Sequence, residues 1–131
     1  MMTVINFNET EDEKRENLVE RTVSYYLIHL RVRHRLSGFA YLKYAVTIAY
    51  LNPKYYMRYI TKRLYPDIAK EFGTTTFRVE RSIRHAIECM DCDDETKIEI
   101  FGHPYRCTNT EFILGLVEAI KRLEDPEKLR G

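Results

Sequence analysis

The chain has 131 residues, the size of one domain with an apolar core of its own, and its 44% hydrophobic and 31% charged residues are those of a soluble globular protein. Lys and Arg number 21 against 20 Asp and Glu, so the net charge of +1 identifies no partner. Three cysteines exclude a disulfide framework and point to a reducing, cytoplasmic setting.

The charge is unevenly spread. From Arg21 to Pro66 there is no Asp or Glu, while Arg21, Arg31, Arg33, Arg35, Lys43, Lys54, Arg58, Lys62 and Arg63 all occur. Such a block predicts a surface facing a polyanion, or else several basic faces pointing different ways. No basic start followed by an apolar run and a small-residue cleavage site marks a signal peptide. The longest apolar segment, FAYLKYAVTIAYL, carries Lys43 and is too short to span a bilayer.

In chain order, residues 1–16 are polar and expected to fray, with Asn8 or Thr10 capping the helix that follows. Leu18, Val19, Val23, Tyr26, Leu27 and Leu30 recur at helical spacing. SGF at 37–39 interrupts the pattern before a second helix, AYLKYAVTIAYL. Pro53 suits the first turn of a third, PKYYMRYITKRLY, because its missing N–H is not needed there. PDIAKEF forms a short fourth helix closed by Gly73, and a fifth covers roughly residues 76–90. KIEIFGHPYRC reads as loop or hairpin around Gly-His-Pro. The last helix, within TNTEFILGLVEAIKRLED, is capped by Thr108 or Asn109 and carries a stripe of Ile113, Leu116, Val117, Ile120 and Leu123. The expectation is a single all-α domain over 1–131, a compact bundle of about six helices.

PDIAKEFGTTTFRVERSIRHAIE is a short helix, a glycine turn and a longer helix, the spacing of a helix-turn-helix. At about 100° per residue, Val79, Ile83, Ala86, Ile87 and Met90 share one arc. Arg78, Arg81 and His85 lie nearly opposite, with Phe77 and Arg84 on the flank and Glu80 at the border. An arginine fork can pair with the acceptors on a guanine edge, and a carboxylate can accept from cytosine. The bland reading makes Arg84 and Glu88 an ordinary i,i+4 pair and leaves Arg78 and Arg81 solvated.

GFAYLKYAVTIAY, ITKRLYPDIAKEFGTTTFRVERSIRHAIE and TNTEFILGLVEAIKRL resemble the C-terminal DNA-binding domain of the stage-zero sporulation response regulator of endospore-forming bacteria. The resemblance runs from about Val19 to Leu123 and is densest in LYPDIAK and RVER-IRHAIE. It implies a six-helix bundle that binds duplex DNA as a dimer or tandem pair. It implies base contacts from Arg78, Glu80 and Arg81, and backbone or flanking roles for Lys62, Thr75, Thr76, Phe77, Arg84 and His85. Phe77 stands where the resemblance implies a small residue. The family's regulators carry a receiver domain before this one; with only a short polar lead here, the expectation is an effector domain lacking that receiver.

Other features carry less. Cys89, Cys92, His103 and Cys107 are four potential zinc ligands, but Cys near a helix end is commonly a small buried apolar residue, and no metal site is expected. His29 and His34 sit in a basic stretch where exposed histidines are ordinary. Tyr41, Tyr44, Tyr50, Tyr55, Tyr56, Tyr59 and Tyr65 are expected mostly as packing residues, with Tyr55 or Tyr56 within reach of phosphate. No phosphate-binding glycine loop, nucleophile elbow or catalytic carboxylate cluster occurs, so neither an enzyme nor a cofactor or small-molecule substrate is expected. The leading expectation is a sequence-specific transcription regulator on double-stranded DNA. The rivals are a protein-interaction module that keeps the fold and an architectural binder indifferent to sequence.

Overall fold

The computed structural model describes residues 10–124, and among these it is entirely helical. Seven α-helices follow one another: α1 (Glu11–His29), α2 (Ser37–Leu51), α3 (Pro53–Tyr56), α4 (Tyr65–Phe72), α5 (Thr76–Glu88), α6 (Asp94–Phe101) and α7 (Asn109–Glu124). A π-helical turn, Ile60–Leu64, leads into α4.

Local chemistry sets most of the boundaries. Thr10 caps α1 through a capping box: its hydroxyl accepts from Glu13 N at 3.0 Å, and the Glu13 carboxylate accepts from Thr10 N at 3.2 Å. Residues 11–16 are therefore the opening turns of a helix and not a frayed lead, while Asn8, the other expected cap, lies outside the described residues. Thr108 and Glu111 form the same reciprocal pair at α7, at 3.1 and 2.8 Å. The α1 helix closes on Arg31, held at φ 60°, with Val32 N donating back to Leu27 O at 2.9 Å.

Helix α2 is the hub, packing against α1, α4, α5 and α7. Leu42, Ala45, Val46, Ala49 and Tyr50 are all buried, as a helix covered from several sides requires. Ser37, Gly38 and Phe39, expected as a break, form its first turn. Gly38 explains why glycine stands there. A Cβ at this position would lie 2.4 Å from Ser82 O and 2.6 Å from Ala86 Cβ, so α5 rests directly on the backbone of α2.

Two segments depart from expectation. The third helix, expected to be continuous over 53–65, breaks after α3 and resumes as the π turn, where Tyr65 N donates to Ile60 O. Pro66 has no N–H for the Lys62 carbonyl, which favours a widened turn just before it. The change of phase buries Tyr56, Ile60, Leu64 and Tyr65 together. The expected loop or hairpin is α6, started by Asp93, whose carboxylate accepts from Thr96 N at 2.8 Å, and ended by Gly102 at φ 84°. The acidic run before it is a cap and first turn, favourably placed at the positive end of the helix dipole.

Val19, Val23, Leu27, Leu30, Ile68, Ile83, Phe112, Ile113, Leu116 and Val117 belong to one buried cluster. Each such side chain contributes about 1.5–3 kcal/mol by leaving water. Leu18 and Leu123, expected within the apolar stripes, are instead exposed, and Met90 is half-buried at the edge.

Candidate nucleic-acid interface

The two helices α4 and α5 meet around a tight turn. Gly73 takes φ 62°, ψ 40°, the left-handed conformation that only glycine adopts without cost, and Thr74 N returns to Ala69 O at 2.9 Å. Thr75 then caps α5, its hydroxyl accepting from Arg78 N at 3.2 Å. This cap fixes where the first turn of α5 begins, and with it the directions of Phe77, Arg78 and Arg81.

The inward face of α5 is Val79, Ile83, Ala86 and Ile87, all buried, as the wheel predicts. Phe72 at the end of α4 differs from its expected inward role. It is exposed on one side and set edge-on against Tyr41 and Tyr44, with ring centroids 5.0 and 5.7 Å away. Two links hold the motif to the rest of the bundle. Tyr56 OH donates to Asp67 Oδ2 at 2.6 Å, tying α3 to α4, and burial followed by this bond pushes the phenol well above its ordinary range. Asn109 Nδ2 donates to Glu80 O at 2.9 Å, pinning the middle of α5 to the start of α7. That bond was not legible in the sequence, since nothing local pairs residues 80 and 109.

The outward face carries Phe77, Arg78, Arg81, Arg84 and His85, all exposed. None of the three arginines has an ion-pair partner among the described residues. The Arg84–Glu88 pair of the bland reading does not form; Glu88 pairs with Arg106, and Arg84 has no ion-pair partner among the described residues. Arg81, Arg84 and His85 line one wall of a groove of about 470 Å³, whose other wall is Leu36, Ser37 and Gly38 at the start of α2. Glu80 is half-buried at the border of this face. Thr76 is half-buried and Lys62 is exposed on the π turn just before α4. Phe77 is 68% exposed, a large ring held in water beside the arginines.

The acid-free block does not form one surface. Lys43 pairs with Glu20 at 3.2 Å, and Arg31 lies close enough to Asp93 to help lower its carboxyl. Lys54, Arg58, Lys62 and Arg63 remain together around α3 and the π turn.

The four potential zinc ligands do not converge. Cys89 lies 3.6 Å from His85 Nε2, Cys92 donates to Asp93 O, His103 accepts from Tyr105 N, and Cys107 is buried with a thiol pushed up by burial. Among the described residues no three His, Cys, Asp or Glu side chains are grouped as a metal site needs. No helix among them is long and apolar enough to cross a membrane.

A left-handed glycine turn between a short helix and a longer one, with free arginines on the outer face of the second, defines the class of helix-turn-helix proteins. Residues 23–120 match the family described as Sporulation initiation factor Spo0A C terminal, and the chain belongs to that family. The family is the DNA-binding effector domain of a sporulation regulator and not a class of enzymes.

Proposed function

We propose that this chain, as a single domain over 1–131, is a sequence-specific regulator of transcription that docks α5 in the major groove of duplex DNA. The observation that carries this reading is the outer face of α5: Arg78, Arg81 and Arg84 are exposed, without ion-pair partners among the described residues, on a helix whose inner face is fully buried. Arg78, Glu80 and Arg81 face bases, the arginines toward guanine acceptors and Glu80 toward a cytosine amino group. Lys62, Thr75, Thr76, Arg84 and His85 contact or flank the phosphates, and Phe77 packs beside the reading face, where a thymine methyl suits it. Two copies on one operator are the arrangement that the sequence resemblance implies.

Selection of bound duplexes from a randomised pool at moderate salt tests the reading. A recovered consensus of a few base pairs, weakened at one position by Arg78→Ala, is the expected result. Recovery of unrelated sequences at equal affinity leaves only an architectural binder, and no recovery removes DNA binding altogether.

A second reading rests on Phe77. A ring 68% exposed on the outward face of α5 also suits docking to another regulator. Co-purification with a protein partner, unchanged by Arg78→Ala and Arg81→Ala, separates that reading from the first.

A further inference from the structure

Outside α5, Arg63 is a well-organised cation with no ion-pair partner among the described residues. Its guanidinium carbon lies 4.5 Å from the Tyr55 ring centroid and 4.4 Å from that of Tyr59, and Nη1 donates to Tyr55 O at 3.1 Å. Both tyrosines are exposed, and no carboxylate pairs with Arg63 among the described residues. Lys54, Arg58 and Lys62, all exposed, are its near neighbours in sequence, and the first acid after Glu20 is Asp67. An arginine normally loses rotamer freedom when it grips a ligand. Here two rings and one carbonyl already hold the planar group, and half-buried Arg63 makes no other side-chain hydrogen bond among the described residues.

The stack is also well placed. Arg63 lies on the π turn that runs directly into α4, the first helix of the helix-turn-helix, and in such motifs that helix crosses the sugar–phosphate backbone. A cation held there, off the reading helix, meets phosphate and not base edges.

We propose that Arg63, clamped between Tyr55 and Tyr59, is a preformed phosphodiester-binding site that extends the DNA footprint beyond α5. The proposal rests on the DNA-binding reading above. The clamp sets orientation and overall affinity and leaves sequence choice to Arg78, Glu80 and Arg81. Its ligand is the non-bridging oxygen pair of a backbone phosphate, so it adds one released counterion to the binding equilibrium.

The test is the salt dependence of affinity for a selected duplex and for a scrambled one, using the whole chain. Arg63→Met keeps an apolar stem between the rings and removes the charge, so the fold persists. It should weaken both duplexes by the same factor and lower the slope of log K against log salt by about one. Arg63→Lys should keep the slope while losing affinity, because an ammonium carries the charge without the planar stack. A slope unchanged in Arg63→Met overturns the proposal while leaving DNA binding intact, and so does a loss confined to the selected duplex, which would make Arg63 a base reader. If the unaltered chain binds neither duplex, the DNA-binding reading fails and this proposal with it.

Discussion

The two sides of the bundle use glycine in different ways. Where α5 crosses α2, a Cβ on Gly38 would meet a main-chain oxygen, Ser82 O, at 2.4 Å. Where α6 meets α7, a Cβ on Gly115 would meet the Phe101 ring, with Cδ1 at 2.5 Å and Cε1 at 2.8 Å. A ring on a half-buried side chain can turn aside, whereas a carbonyl in the middle of a helix cannot. Helix α5 is thus seated backbone on backbone, and the α6 corner is seated through an adjustable side chain. If α5 presents arginines to bases as proposed, it needs the stiffer mount, since small displacements spoil bidentate hydrogen bonds.

The largest expected effect breaks that mount. Gly38→Ala forces α5 away from α2 and should lower stability by about 3 kcal/mol, read as a shift in the urea midpoint with little change in its slope. An unchanged midpoint would show that the crossing relaxes freely, and the contrast with Gly115 would disappear.

The next effect leaves the mount intact and removes what it carries. Arg81 is exposed and has no ion-pair partner among the described residues, so in Arg81→Ala stability should stay within about 0.5 kcal/mol of the parent. Affinity for the selected duplex should fall by about 2 kcal/mol, with preference relaxed at one base pair. Titration of labelled duplexes varied at single positions measures both.

The corner should respond more mildly. Gly115→Ala should cost about 1 kcal/mol as Phe101 shifts against Phe112, whose ring centroid is 5.2 Å away. DNA affinity should be unchanged, because α6 supplies nothing to the outward face of α5. A stability loss as large as that of Gly38→Ala would remove the distinction between the two seats.

The same two regions differ in how far the sequence reveals them. Around α5 every local signal agrees: Pro66 near the start of α4, Gly73 at the turn, Thr75 at the cap, and Val79, Ile83, Ala86 and Ile87 on one arc. The outward arginines follow from the same periodicity, because burying one face fixes the other. Around α6 the signals conflict. Ile98 and Ile100 alternate as in a strand, and only Ile100 is buried, so no helical stripe exists to be read. Asp93 and Gly102, a cap and a stop at helix-length separation, were the better guide. The break between α3 and the π turn was hidden for another reason. It goes with a long-range link, Tyr56 OH to Asp67, a partner eleven residues on. The Arg63 clamp was legible in principle, since Tyr55, Tyr59 and Arg63 are spaced i, i+4, i+8 and so line up along a helical path.

The smallest effect is in the caps. The α5 helix is started by a hydroxyl, Thr75, and α6 by a carboxylate, Asp93. Hydrogen bonds from Thr96, side chain and backbone, hold the Asp93 carboxyl below its ordinary value, helped by the charges of Arg31 and His29. A group whose pKa is lowered by folding stabilises the fold fully above its unfolded pKa, and that contribution is lost as pH falls through the folded value. Acidification below the normal carboxylate range should therefore loosen the start of α6 while leaving the Thr75 cap untouched. Amide exchange detects this as lost protection at Thr96 N relative to Arg78 N, the two donors these caps accept. In Asp93→Ser the cap no longer titrates, and the two amides should keep a constant ratio of protection across the same pH range. Parallel loss of protection at both amides in the unaltered chain would mean that the two helices open as one unit. The corner would then be as tightly coupled to the bundle as α5 is.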